Sequence, residues 1–376
     1  MTQNIQVSVK PFRAGLVSVS KSVAKTGTMP ILSAVLCRVE NDTMTLKTTN
    51  LETTASYSFD VESSEDVTFA VEHAQMLQTL NAIERETITL GYNSNMLTIT
   101  CTGVNITLGT LNPDDFPVMS EVAEDVVSLD SGILIDTLSR AITTVATETT
   151  RPTLAGVAIS KNHDKVMVAS SDGFRMTIIE FASDWNPLSI ILPTQNVNEL
   201  LRLAKENDTV GVCLTDRSML AVVETNHQRV QGRLIDGKYP NVGAIIDRTT
   251  SFPTTTINTQ SLLAAIRLVK LYVDKNAPRA ELKIHQMLPG MWVLTISATS
   301  DKGTITQDVE VVETKRNDAA TIGVNITYLE TAIRGVSASN TVLAIGGSGE
   351  SIDPFIIRDK TETYTYQHVI MPMTRK

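Results

Sequence analysis

The chain has 376 residues, a net charge of −9, 5% aromatic residues and many Val, Ile, Thr and Leu. That length exceeds one ordinary core and points to two or three domains, and the aliphatic balance suits sheets packed on amphipathic helices. The acidic total excludes a uniformly basic surface, so any nucleic-acid contact has to come from a local concentration of Lys and Arg.

In chain order, apolar residues at helical spacing predict a first helix over Pro11–Val23, with Leu16, Val17, Val19 and Val23 near one stripe. Strand-like alternation follows in AVLCRVE and DTMTLKTTN. A second helix is predicted over Ala74–Ile83, then strands in TITLGY, MLTITCT and VNITLGTL. The order then recurs. A helix over Gly132–Ala146, capped by Ser131 or Asp130, precedes GVAIS and KVMVAS; a helix over Asn196–Lys205 precedes VGVCLTD, MLAVVET and QRVQGRLI. It recurs once more with helices over Gln260–Val273 and Ile326–Val336 and the strands ELKIHQ, WVLTISAT, TVLAIGG and PFIIRD.

A local signature accompanies this repeat. Thr48-Thr49-Asn50, Ser170-Ser171-Asp172 and Thr299-Ser300-Asp301 each end a strand, with 172 − 50 = 122 and 301 − 172 = 129 residues between them. So long a period indicates duplicated domains rather than a solenoid. The expectation is an α+β fold of three repeats, residues 1–125, 126–253 and 254–376, the second boundary falling in the Thr249–Thr256 stretch with Pro253.

Cys37, Cys101 and Cys213 are far apart and form no CxxC pair, which argues against a zinc site or a disulfide framework. Without a signal-like segment in MTQNIQVSVK or a run of ~20 apolar residues, the reading is a cytoplasmic protein with no membrane role. The predicted helices are neutral to basic, whereas Glu62, Glu65, Asp66, Asp114, Asp115, Glu121, Glu124 and Asp125 gather in loops. His73, His163, His227, His285 and His368 show no metal spacing. GGSGES, Gly346 to Ser351, lacks the Lys-Ser/Thr of a phosphate-binding loop and reads as a turn. No metal or organic cofactor is expected.

Three segments carry a resemblance: ASSDGFRM (Ala169–Met176), GRLIDGKYPNV (Gly232–Val242) and VIMPM (Val369–Met373). With MPILSAVL, LGTLNPDDFPVM and NITYLETAI they stand in the order and approximate spacing of the bacterial replicative sliding clamps, the beta subunit of DNA polymerase III, which the chain resembles over its whole length. The resemblance implies repeated clamp domains in a head-to-tail homodimeric ring. It also implies a processivity factor without catalysis that encircles double-stranded DNA without reading sequence.

It further implies a groove for short peptides of the replicative polymerase subunit, the clamp loader and other clamp-binding proteins. The matching positions are Leu154, Ser171, Gly173, Phe174, Arg175, Met176, Pro240, Ile245, Val369, Met371, Pro372 and Met373. Met there is adaptable, Pro240 and Pro372 are rigid walls, and Arg175 is expected to hold a polar or acidic peptide end. Phe174 stands where related clamps carry His, and Ala244 where they often carry Arg.

DNA-facing candidates are Lys21, Lys25, Arg140, Arg151, Arg202, Lys205, Arg267 and Lys270; Arg151 rests on the motif and the others on helix position. For ring closure the family pairs edge strands of its first and third domains, and the matching positions are Ile106 and Leu108 against Leu271 and Tyr272. Two other classes stay open from the residues: a β-rich hydrolase with unrecognised catalytic groups, and a non-ring binding protein.

Overall fold

A computed structural model describes residues 3–374 except 25–28, 64, 94, 118–125, 149, 186, 188, 216, 224–227, 348 and 351–352. Lys25 therefore lies outside the described residues, as do Glu121, Glu124, Asp125 and His227. Seven α-helices are described: α1 (Val9–Val19), α2 (His73–Ala82), α3 (Ser131–Ala141), α4 (Thr194–Glu206), α5 (Gly243–Thr249), α6 (Thr259–Val269) and α7 (Ile326–Arg334). Six answer the periodic stripes in the sequence. α5 does not, because a seven-residue helix after Pro240 is too short to show a period. Among the described residues no helix is long and apolar enough to cross a membrane.

The chain divides into two compact units, Met1–Gly132 with Asn198–Leu234, and Ile133–Val197 with Ile235–Lys376. The first contains a 5-stranded and an 8-stranded sheet; the second contains a 13-stranded sheet. In the first unit Gln228–Arg233 pairs with Thr53–Asp60, and in the second Arg175–Ala182 pairs with Tyr364–Ile370. The sheets therefore continue from one sequence repeat into the next, and the compact units divide the central repeat between them.

In the first unit α1 and α2 bury Phe12, Leu16, Met76 and Leu80 against the sheet residues Val35, Leu46, Phe69 and Leu90. Gly15 lets α1 lie close on the sheet: a Cβ there would come within 2.7 Å of the Tyr57 ring. The two helices are also tied by polar bonds, Arg13 donating to the Leu80 carbonyl at 2.6 Å and the His73 ring meeting the Leu16 carbonyl at 2.9 Å. MPILSAVL folds as the turn Pro30–Ser33, burying Ile31 and Leu32 beside Phe116 of LGTLNPDDFPVM.

The first two sequence triplets prove to be one repeated hairpin device. The Thr49 hydroxyl donates to the Thr53 carbonyl and accepts from the Leu51 N–H, while Asn50 Oδ1 accepts from the N–H groups of Glu52 and Thr53. Ser171 and Asp172 do the same toward Arg175, Gly173 and Phe174, every position shifted by 122. Even the bond from the strand to the helix end is copied: Thr48 donates to the Val19 carbonyl, and Ser170 to the Ala141 carbonyl. In the third copy Ser300 Oγ accepts from the Lys302 N–H at 3.2 Å. An Asx side chain that satisfies two turn N–H groups explains why Asn or Asp follows the hydroxyl residue.

Candidate functional site

The turn Asp172–Phe174 joins the strands Lys165–Ser171 and Arg175–Ala182 in the second unit. Gly173 has φ +91°, a left-handed conformation that glycine adopts without strain. The turn leaves Phe174 65% exposed. Asp172 binds the Phe174 and Arg175 N–H groups through Oδ1 and Arg175 Nε through Oδ2 at 2.9 Å. The Arg175 guanidinium also donates to the Thr143 carbonyl and lies 4.3 Å from the centre of the Tyr328 ring, a cation–π contact. Arg175 is thus largely engaged inside the protein; among the described residues one of its terminal nitrogens, Nη1, is buried and unpartnered.

The C-terminal strand Tyr364–Ile370 runs beside this turn, with Met176 opposite Val369 and Arg175 opposite Ile370. Beyond the strand the tail stays fastened: the Met371 N–H donates to the Phe174 carbonyl and the Met373 N–H to the Gly323 carbonyl, each at 2.8 Å. Both bonds are backbone bonds, so the Met371 side chain remains 45% exposed. Met176 and Val369 are buried in an apolar cluster with Val242, Ala344 and Ile356, against which Tyr239, Ile245, Ile246 and Phe252 pack. α5 therefore acts as a lid over this part of the sheet.

Beside the cluster is an open cleft of about 370 Å³ lined by Arg151, Leu154, Asp172, Gly173, Phe174 and Tyr328, among others. The structure thus collects the twelve expected groove residues in one unit and sorts them by depth. Leu154, Ser171, Met176 and Val369 are buried. Leu154, Gly173 and Phe174 edge the cleft, Met371, Pro372 and Met373 lie along the tail, and Pro240 is exposed next to the segment leading into α5. Tyr328 was missed as a site residue, although NITYLETAI contains it. Asn325 caps α7 by accepting the Thr327 and Tyr328 N–H groups, Leu329 is fully buried, and Tyr328 turns its ring to Arg175.

Buried under the tail, His368 shares its Nδ1 between the Thr177 and Tyr366 hydroxyls, each at 3.1 Å, while Nε2 is without a partner among the described residues. Burial, with a smaller contribution from the Arg175 charge, pushes its pKa down to about 3. The folded protein therefore keeps His368 neutral, while the unfolded chain protonates it below about 6.5. Stability contributed by this group is present above about pH 6.5 and falls as pH drops toward 3. In urea unfolding at pH 6.5 and pH 5, the protein should lose about 2 kcal/mol more than His368→Gln over that interval. Equal losses in the two would remove His368 as the cause.

The cationic candidates separate by engagement. Lys21, Arg151, Lys205 and Arg267 are exposed. Arg140 donates to the Gly335 carbonyl, Asp136 and Ser337 and lies 5.0 Å from the centre of the Tyr364 ring. Arg202 is paired with Glu199 and Glu206. Lys270 is bound to Glu330 at 2.6 Å, and with Arg334 it holds that carboxyl below its usual range.

The four expected closure residues do not all sit on strand edges. Val104–Gly109 is an outer strand of the 5-stranded sheet, but Leu108 is only 4% exposed and Ile106 packs on the same core. Strand alternation turns them inward and leaves the backbone edge free. Leu271 and Tyr272 lie on no strand; they form the helical turn Lys270–Tyr272 after α6, where Leu271 is 64% exposed. The open strand edge near them belongs to Gly303–Thr314. Its residues Gly303–Glu310 pair with Met291–Ser300 on one side only among the described residues, and a cleft of about 390 Å³ separates Gln307–Glu310 from α6.

Helix-on-sheet units thus carry an apolar surface to which the chain's own tail is fastened. Sequence models of the DNA polymerase III beta subunit match residues 4–120 as its N-terminal domain and 128–241 as its central domain. The beta sliding clamp of Streptomyces coelicolor is 23% identical over 364 residues, covering 92% of each chain. Among solved structures, the DNA polymerase sliding clamp of Bacillus subtilis superposes with TM-score 0.90 at 17% identity over all of both chains. The Pseudomonas aeruginosa sliding clamp bound to griselimycin gives 0.86 at 20% identity, covering all of both chains. The chain belongs to the DNA polymerase III beta subunit family, the bacterial sliding clamps.

Proposed function

We propose that two copies of this chain close head to tail around duplex DNA and tether a replicative polymerase to it. The observation that carries the ring is that each compact unit offers an unpaired strand edge, Val104–Gly109 in one and Gly303–Glu310 in the other. Exposed edges invite pairing and aggregation. Joining the first edge of one copy to the second edge of its partner, twice, satisfies all four and closes the assembly. Leu268 on α6 and Leu271 in the turn after it, 43% and 64% exposed, supply apolar cover for that joint.

The chain is then a processivity factor, and its DNA contacts are non-specific phosphate contacts from Lys21, Arg151, Lys205 and Arg267, the expected DNA-facing cations that are exposed. The cleft by Phe174 and the methionines of the tail receive short apolar peptide motifs of the polymerase, the clamp loader and other partners. Phe174 at the rim favours apolar or aromatic peptide residues. In light scattering at micromolar concentration the protein should have twice the 40.9 kDa mass of one chain. A monomer at that concentration would overturn the ring.

A further inference from the structure

A second recess lies on the same 13-stranded sheet, separate from the cleft that contains Phe174. It has a volume of about 620 Å³, and its floor is one row of neighbouring residues: Gln367, Arg358, Val342 and Thr256. The next positions outward on the same strands are Thr365, Lys360 and Asn340, and Lys315 stands at the far side. One row in the other direction, the sheet carries Val369, Ile356 and Ala344, which lie in the apolar cluster with α5. The recess is therefore the part of this sheet face that α5 leaves open.

Its polar groups point to a ligand. Arg358 is half-buried, donates to the Thr249 carbonyl at 3.0 Å, and forms no carboxylate pair among the described residues. Burial lowers its pKa with no opposing acid. A guanidinium withdrawn from water is ordinarily matched by an anion. Lys315 and Lys360 are exposed and unpaired among the described residues, and a single exposed carboxylate, Glu313, shares the recess with them. Asp359 also borders the recess, but its carboxylate accepts the Ser337 N–H. In a chain of net charge −9 this is a local excess of cations.

We propose that this recess is a binding site for a small multivalent oxyanion, phosphate- or carboxylate-bearing, held by Arg358, Lys315 and Lys360 with its non-ionic part on Val342. The arrangement suits the chemistry: a planar guanidinium fixes two oxygens at the floor, two flexible ammonium groups close over the remaining charge, and threonine hydroxyls supply neutral donors.

The test uses the full-length protein, with pyrophosphate and citrate as probes, in isothermal titration at constant ionic strength set with chloride. The variants are Lys315→Gln with Lys360→Gln, and separately Arg358→Lys, which keeps the charge but loses the fork. The expected result is saturable one-site binding of at least one probe, weakened about tenfold or more for each charge removed and also weakened in Arg358→Lys. The tighter probe identifies the phosphate or the carboxylate source. Thermal melting without ligand, unchanged in the double lysine variant, shows that the fold is intact. No saturable heat in the unsubstituted protein, or equal affinity in the lysine variant, overturns the proposal and leaves an adventitious ion only. Peptide binding at the Phe174 cleft does not enter this readout, so its failure and the failure of this site are separable.

Discussion

Loaded onto nicked circular DNA by a clamp loader and ATP, the protein should survive a high-salt wash, and should be lost almost completely once the circle is cut to a linear molecule. The two halves of this result have different physical origins. Phosphate contacts alone are steeply salt-dependent; a chain held only by about six of them would lose roughly a thousandfold in affinity between 50 and 200 mM salt. The exposed candidates Lys21, Arg151, Lys205 and Arg267 are four cations on an acidic chain, so contacts of this kind give weak binding that permits sliding. Retention through the wash has to come from a closed ring, and a closed ring slips from a free end. Retention on linear DNA after cutting would mean ordinary site binding, and loss from the intact circle in salt would mean that no ring had closed.

The second large effect is expected at the tail. Replacing Met371 and Met373 together with Ala should weaken binding of a fluorescent polymerase-derived peptide by about tenfold to a hundredfold, measured by anisotropy, with the oligomeric mass unchanged. The reason is the division of labour along the tail. The Met371 and Met373 N–H groups fasten the chain to the carbonyls of Phe174 and Gly323, and alanine keeps those bonds. The Met371 side chain is 45% exposed and Met373 is half-buried, so their removal takes away accessible apolar surface rather than core. Methionine suits this position because its unbranched thioether adapts to peptides of different shape. Unchanged affinity would refute the assignment of the tail to the groove.

Much of the fold was legible in the chain. Six helices carry apolar stripes long enough to read, and the strands alternate. The hydroxyl–Asx triplets announced the duplication, because a turn that needs two N–H acceptors in a row accepts few other residues. The groove's positions were legible only as matched segments: nothing in ASSDGFRM or VIMPM by itself says that Met176 is buried while Met371 is exposed.

The sequence by itself determined the local elements and the hydroxyl–Asx repeat, because periodicity and turn chemistry act over a few neighbouring residues. Tertiary structure decided which of those side chains are available. Arg140 and Lys270 look like free helix cations until their partners at Gly335 and Glu330 are seen. Leu271 and Tyr272 lie in a helical turn at the end of the predicted helix rather than on the strand edge that the resemblance implied, Leu108 turned inward, and α5 covered one part of a sheet face and left Arg358 in another. Burial and pairing depend on residues tens to hundreds of positions away, and no local pattern encodes them.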